Sequence, residues 1–232
     1  MVSETEARAP SSGVPQPSPG AIDTRRERVG VLIPRVRVKL AETPAEWAGA
    51  VAVRLAVFVD EQGVPLAAEL DERDRSAIHA IAIAPPEVLA AAGDGQDLLD
   101  EARSGMAARA LAQAGKYLPL SLTGPRGSVR DVGSIEPVVG TGRLVRAGSG
   151  PARIGRLCVL PPWRGYGIGA RLLRLLEEAA LARGTTRVLV HAQVTARTFY
   201  EQHGYVLDGP PEVFLEDGIP HVRMTRRLSI DM

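Results

Sequence analysis

One unit in this chain restricts its fold more than any other. From residue 153 the sequence reads RIGRLCVL, then PPWRGYGIG, then ARLLRLLEEAALARG, and after two threonines RVLVHAQ. The first and last runs are short and apolar, as buried strands are. Between them Ile168, Leu172, Leu175, Leu176 and Ala179 recur at helical spacing, and Gly184 stands where a helix end favours a left-handed residue. A helix joining two strands of one sheet carries the chain back across it, so the flanking strands should be parallel.

The turn in that unit has the features of an anion site. Glycines at 165, 167 and 169 let backbone amides converge without side chains in the way, and they open a helix whose first N–H groups lack partners. Arg164 adds a positive charge beside them. No Lys-Ser/Thr pair follows, so this is not a Walker loop. Gly165, Gly167 and Ala170 do satisfy the G-x-G-x-x-A of dinucleotide folds. Against that, PPWR separates strand from turn, and the next strand ends in HAQ where a ribose-binding acid would stand. From the turn alone, an anion site, a ligand-free structural turn and a dinucleotide site all remain open.

The rest of the chain surrounds this unit with shorter elements. Residues 1–30, with SSGVPQPSPG among them, have no apolar period and read as a disordered leader. Alternation from Val29 to Leu40 predicts a strand, which Pro34 places at an edge or a start. TPAEW opens a helix, with Thr43 as N-cap, Pro44 at the first position and Glu46 closing a capping box. Trp47, Val51, Leu55 and Phe58 form its buried face. HAIAIA (79–84) and VVGTGRLV (138–145) read as antiparallel strands, and the Ala-, Gly- and Pro-rich 85–135 between them as an insertion at a loop tip. Near the end, TARTFYEQH predicts a short helix stopped by Gly204, and YVLDG and IPHVRMTRRL a closing antiparallel pair.

Composition excludes several classes. The 232 residues are 45% hydrophobic, enough for one ordinary core with material left over. With 28 basic and 27 acidic side chains, no strong field recommends nucleic acid or an anionic membrane as partner. No apolar run is long enough to span a bilayer, and a lone cysteine, Cys158, can form no intrachain disulfide. A cytoplasmic protein without a metal is the expectation.

LCVLPPWRGYGIG ahead of an amphipathic helix resembles the acetyl-CoA motif of the GNAT acyltransferase superfamily, whose R-x-x-G-x-G falls on Arg164, Gly167 and Gly169. The likeness runs over roughly residues 35–228, less the insertion. It narrows to the ElaA/YjcF-like branch through RLAVFVDEQGVPLAAELDERDRSAIHA, HAQ, FYEQHGY and EDGIPHVRM. The leader and the insertion depart from that branch. What the resemblance implies is an α/β fold over 31–232, a mixed, mostly antiparallel sheet with helices on both faces. It also implies transfer of acetyl from acetyl-CoA to a primary amine, on a small molecule or a lysine, by direct attack.

The same resemblance implies roles. Backbone amides of Arg164, Gly165, Tyr166, Gly167, Ile168, Gly169 and Ala170 would hold the pyrophosphate. Leu157, Cys158 and Val159 would pair with the pantetheine arm and polarise the thioester. Tyr200 would protonate the leaving thiolate, since a phenol reaches neutral pH still carrying its proton. Glu61 and His79 lead the candidates for general base, ahead of Glu69, Asp71, Asp74, His191 and His221. Gln193 and His221 would line the acceptor pocket. Cys158 itself reads as a packed apolar residue, not a nucleophile, and Trp163 as local packing. The acids around 60–74 hint at a cationic acceptor. The rivals are an NAD-binding oxidoreductase and an acyl-CoA-binding module without catalysis.

Overall fold

The computed structural model describes residues 35–85, 116–117, 119, 137–146, 150–210 and 212–229. The expected leader and nearly all of the expected insertion lie outside the described residues. Among the described residues the first strand, β1 (Arg37–Leu40), pairs only with β2 (Ile78–Ile83) and so stands at an edge, as expected; positions 29–34 of the strand read from the sequence lie outside the described residues. Helix α1 (Pro44–Arg54) starts as its sequence demands: Glu46 N–H donates to the Thr43 hydroxyl at 3.2 Å, and Thr43 N–H donates to the Glu46 carboxylate at 3.3 Å.

Past Arg54 the helix widens. Over Leu55–Glu61 it becomes a π-helix, and Gln62 N–H reaches back five residues to the Val57 carbonyl at 3.2 Å. No residue pattern foretells this, because the apolar spacing of Trp47, Val51 and Leu55 runs unchanged into it. A short helix α2 (Leu66–Glu69) and a 3₁₀ turn (Glu72–Arg75) then lead into β2.

Strands β3 (Val138–Arg146) and β4 (Ala152–Val159) continue the sheet, followed by helix α3 (Ile168–Leu181) and β5 (Arg187–Gln193). Helix α4 (Arg197–Gln202), β6 (Val206–Leu207), β7 (Val213–Glu216) and β8 (Ile219–Arg227) complete the chain. The eight strands among the described residues run β1-β2-β3-β4-β5-β8-β6, with β7 also on β8. Among the described strands only β4 and β5, the pair flanking α3, are parallel. A dinucleotide fold needs a sheet of parallel strands, so this architecture goes against the oxidoreductase alternative.

Helices cover both faces, and the period-two alternation of β2 shows why. Ala80 and Ala82 pack towards α3 with Val139, Ile154, Val188 and Val190, while Ile81 and Ile83 pack towards Trp47 and Val51 of α1. Leu172, Leu173 and Leu176 of α3 are fully buried. They sit close to the sheet because Gly140 and Gly142 carry no side chain. A Cβ on Gly142 would lie 2.8 Å from the Leu176 Cδ1, and one on Gly140 3.1 Å from that of Leu172. Helix α3 ends as predicted, with Gly184 left-handed and Thr185 N–H donating to the Ala180 carbonyl at 3.0 Å.

Candidate active site

The parallel pair comes apart. Ala152, Arg153 and Ile154 face Val188, Leu189 and Val190, and pairing stops there although β4 continues to Val159 and β5 to Gln193. The cause lies on the other side of β4. Opposite β3 the register steps from Thr141↔Cys158 to Arg143↔Gly155, so β4 carries one extra residue, and Arg156 takes a left-handed φ of 51°. Such a bulge bends its strand and re-aims it. Beyond it β4 follows β3 and leaves β5.

The gap opens a cleft of about 490 Å³, walled by β4, β5, the π-helical segment and the β7–β8 turn. Leu160 N–H donates to the Val139 carbonyl of β3 at 2.9 Å, so the carbonyl in the same peptide, that of Val159, points the other way, into the gap. Val159 N–H shares that side, because a strand residue directs both backbone groups alike. Leu157, Cys158 and Val159, the stretch expected to offer a strand edge, all line the cleft.

At one end of the cleft lies the glycine turn. Gly165 and Gly167 have φ of 85° and 72°, and Gly167 caps α3 with no side chain across its first turn. The amides of Gly165, Tyr166 and Gly167 have no acceptor among the described residues. Those of Ile168, Gly169 and Ala170 fall in the first helical turn, which offers none. A Cβ on Gly165 or Gly167 would meet open space, so the loop is accessible from outside. Six successive donors at a positive dipole end suit a pyrophosphate.

Arg164 differs from what the sequence led us to expect. Its amide is already bonded to the Pro161 carbonyl at 3.2 Å. Its guanidinium grips both Glu61 oxygens, at 2.9 and 2.6 Å, and its Nε donates to the Val159 carbonyl at 2.9 Å. Arg164 thus ties the π-helical segment to β4. Glu61 is the other half of that tie, and the hydrogen bond from Arg164 holds its carboxyl below the usual range.

Tyr200 and Cys158 share the cleft wall. Tyr200 is 7% exposed, its ring set edge-on against Phe199 and Tyr205, and its hydroxyl has no hydrogen-bond partner among the described residues. Burial pushes the phenol well above its ordinary value, and the Cys158 thiol likewise. Both stay protonated at neutral pH. The expected acceptor residues Gln193 and His221 are register partners across β5 and β8, and both line the cleft. Gln193 Nε2 donates to Gln62 Oε1 of the opposite wall at 2.9 Å.

His79 requires a correction. It is 3% exposed, lies against Trp47 with ring centroids 4.3 Å apart, and is not among the residues lining the cleft. Burial first, then the charge of Arg54, pushes its pKa down to about 4. The acids expected near a cationic acceptor are consumed beside it. Arg54 pairs with Glu69 at 2.6 Å and Asp74 at 2.7 Å, Arg143 joins Asp71 and Asp74 at 2.9 Å, and Arg156 meets Glu69 at 3.0 Å. Burial alone would raise the Asp74 pKa, but Arg54 and Arg143 more than offset it and hold this carboxyl far below its usual value.

The sequence reading missed one constellation. Strand β7 was not foreseen, although VFLE, the tight D-G turn and IPHV form a hairpin pattern, with Asp217 and Gly218 both at positive φ. That hairpin carries Glu216 to within 2.6 Å of His191 Nδ1 and 2.7 Å of Arg153 Nη2. The hydrogen bond from His191 and the charge of Arg153 hold the Glu216 pKa down to about 2, against some cost of burial.

Comparison with known proteins agrees with this geometry. A family model described as "Acetyltransferase (GNAT) domain" matches residues 134–228. A Bacillus subtilis protein provisionally named an acetyltransferase is 30% identical over 175 residues, 75% of this chain and 85% of its own length. The uncharacterized N-acetyltransferase YjcF of Bacillus subtilis is 38% identical over 91 residues, 39% of this chain and 64% of the relative, so that match spans less than two thirds of YjcF. Among solved structures, a provisionally assigned N-acetyltransferase of Lactobacillus plantarum superposes with a TM-score of 0.57 at 27% identity, covering 84% of this chain and 99% of that one. Escherichia coli ElaA shares the fold, with a TM-score of 0.52 at 20% identity over 83% of this chain and 99% of its own. The chain belongs to the GNAT acetyltransferase family.

Proposed function

We propose that this protein is an N-acetyltransferase that moves the acetyl group of acetyl-CoA to a primary amine by direct attack. The observation that carries the reading is the opening between β4 and β5, with free amide donors at one end and Tyr200 in its wall. A bound acyl-CoA would set its pyrophosphate on the amides of residues 165–170 and run its pantetheine arm along Val159, as a further strand would. The thioester oxygen would then meet the Val159 N–H.

Tyr200 would supply the proton to the departing sulfur. Burial raises the phenol, and the same burial would raise the basicity of a thiolate formed beside it, so the two remain matched. Arg164 and Glu61 would brace the cleft without touching the reacting atoms. The lone buried cysteine suits a reducing cytoplasm.

Two measurements test this. Coenzyme A at about a hundred times its dissociation constant should stabilise the fold by about 2.7 kcal/mol, seen as a rise in melting temperature, and NAD should not. Acetyl-CoA with a panel of primary amines should release free thiol. Stabilisation without thiol release from any amine would leave a binding module; stabilisation by NAD alone would end the acyltransferase reading.

A further inference from the structure

The proposed reaction needs a base, because an amine at neutral pH arrives as an ammonium ion with no lone pair to attack with. Neither residue that led the sequence reading stands free to serve: Glu61 is held on both oxygens by Arg164, and His79 lies outside the cleft. His191 is placed differently. It sits on the part of β5 that no longer pairs with β4, lines the cleft, and keeps 19% of its side chain exposed. Its Nδ1 donates to the Glu216 carboxylate, and its ring meets the Phe214 ring edge-on with centroids 4.9 Å apart. With the proton on Nδ1, Nε2 carries a lone pair, and it has no partner among the described residues.

We propose that His191 is the general base of this enzyme, oriented by Glu216, which is in turn anchored by Arg153. The inference rests on the acyltransferase reading. The acceptor ammonium gives one proton to His191 Nε2, and the freed nitrogen bonds to the thioester carbon. As the C–S bond breaks, sulfur takes the Tyr200 proton. The second nitrogen proton restores the tyrosine, and His191 releases its own to solvent, so one proton leaves per turnover. Glu216 and Arg153 are positioning residues. A neutral Nδ1–H tautomer needs an acceptor on that side, and Arg153 keeps Glu216 ionised and in place. Arg223 is the register partner of His191 on β8, and the titratable or charged side chains that line the cleft with it include Asp217, His221, Arg156, Arg143, Arg73 and Glu69.

The test uses the full chain, acetyl-CoA and two small acceptors at high concentration: ethylamine, which is protonated at neutral pH, and trifluoroethylamine, which is already neutral. His191→Gln should lower the rate with ethylamine by about 10²-fold or more and with trifluoroethylamine by less than about tenfold, with coenzyme A affinity and melting temperature unchanged. Glu216→Gln, which loses the carboxylate that orients the ring, should lower the rate with ethylamine by about tenfold or more and that with trifluoroethylamine by less, and Glu216→Asp should restore part of the loss. Equal losses on both amines, or none on either, overturn the base while leaving acyl transfer standing. A wild type that binds coenzyme A yet acetylates neither amine overturns acyl transfer, and the base falls with it. A His191→Gln that fails to fold leaves the decision to the Glu216 pair, where equal losses on both amines, or none on either, overturn the proposal.

Discussion

The protein holds two ionic constellations, one sealed and one half open. Around Arg54 the side chains of Glu69 and Asp74 are 1% exposed or less, and the guanidinium is shared between them. Around Glu216 the side chains of Arg153, Glu216 and His191 are 19–31% exposed, and an imidazole nitrogen remains unclaimed. A buried ion pair contributes little net energy but is costly to break, because the partner left behind has no solvent. A half-exposed pair costs little to rearrange and can exchange protons with water. The difference teaches that a dense cluster of acids in the sequence pointed to structure, while the chemistry lay with one carboxylate brought in by a hairpin.

The largest test of that contrast is Arg54→Ala. It should destabilise the protein by about 3–5 kcal/mol in urea unfolding, because Glu69 and Asp74 lose their counter-charge in the interior. Glu216→Ala should cost distinctly less by the same measurement, because Arg153 and His191 keep access to water when their partner is lost. Comparable losses would erase the distinction between the two clusters.

Acid titration separates them next. The folded pKa of His79 lies at about 4, below its unfolded value of 6.5. Its contribution is therefore fully present above pH 6.5 and is lost as pH falls through about 4, because the unfolded chain binds the proton first. The loss is on the order of 3 kcal/mol, and His79→Gln should flatten that part of the stability curve. Glu216, with a folded pKa of about 2, acts in the same direction but in the lower window, between 4.5 and about 2. A stability curve level from pH 7 to 4 in the wild type would mean that His79 is not held neutral.

Within the cleft, Tyr200→Phe keeps the ring and its packing while removing the proton. Turnover should fall by about 10²-fold with coenzyme A affinity moving less than about threefold; full activity would give the acid's role to water. Gly167→Val forces a β-branched residue to a φ of 72° and narrows the approach to the amides, so coenzyme A should bind roughly tenfold to a hundredfold more weakly by calorimetry. Unchanged affinity would remove the phosphate-loop assignment. Arg164→Ala should do least, under about threefold, since its amide serves Pro161 and its exposed guanidinium serves Glu61.

Local chemistry was legible in the residues. Thr43, Pro44 and Glu46 wrote the start of α1, Gly184 the end of α3, and RVLVHAQ the whole of β5, because caps and apolar periods act over a few neighbours along the chain. The parallel pairing of β4 and β5 followed from the helix between them, and the glycine turn was readable for the same local reason. The sequence by itself therefore determined most of the elements, their order and the glycine turn, but not the π-helical widening or β7.

Tertiary structure decided the rest. Whether β4 stays paired or swings away depends on one extra residue near Arg156, a count that exists only relative to β3. Whether Glu61, Glu69 and Asp74 face an acceptor or an arginine depends on Arg164, Arg54, Arg143 and Arg156, most of which lie far from them in the chain. His191 and Glu216 are 25 residues apart and meet only because β5 and β7 flank the same strand. Burial and charge pairing are properties of neighbours in space, so a sequence that names its strands, helices and turns still leaves open which of its ionisable groups is free to act.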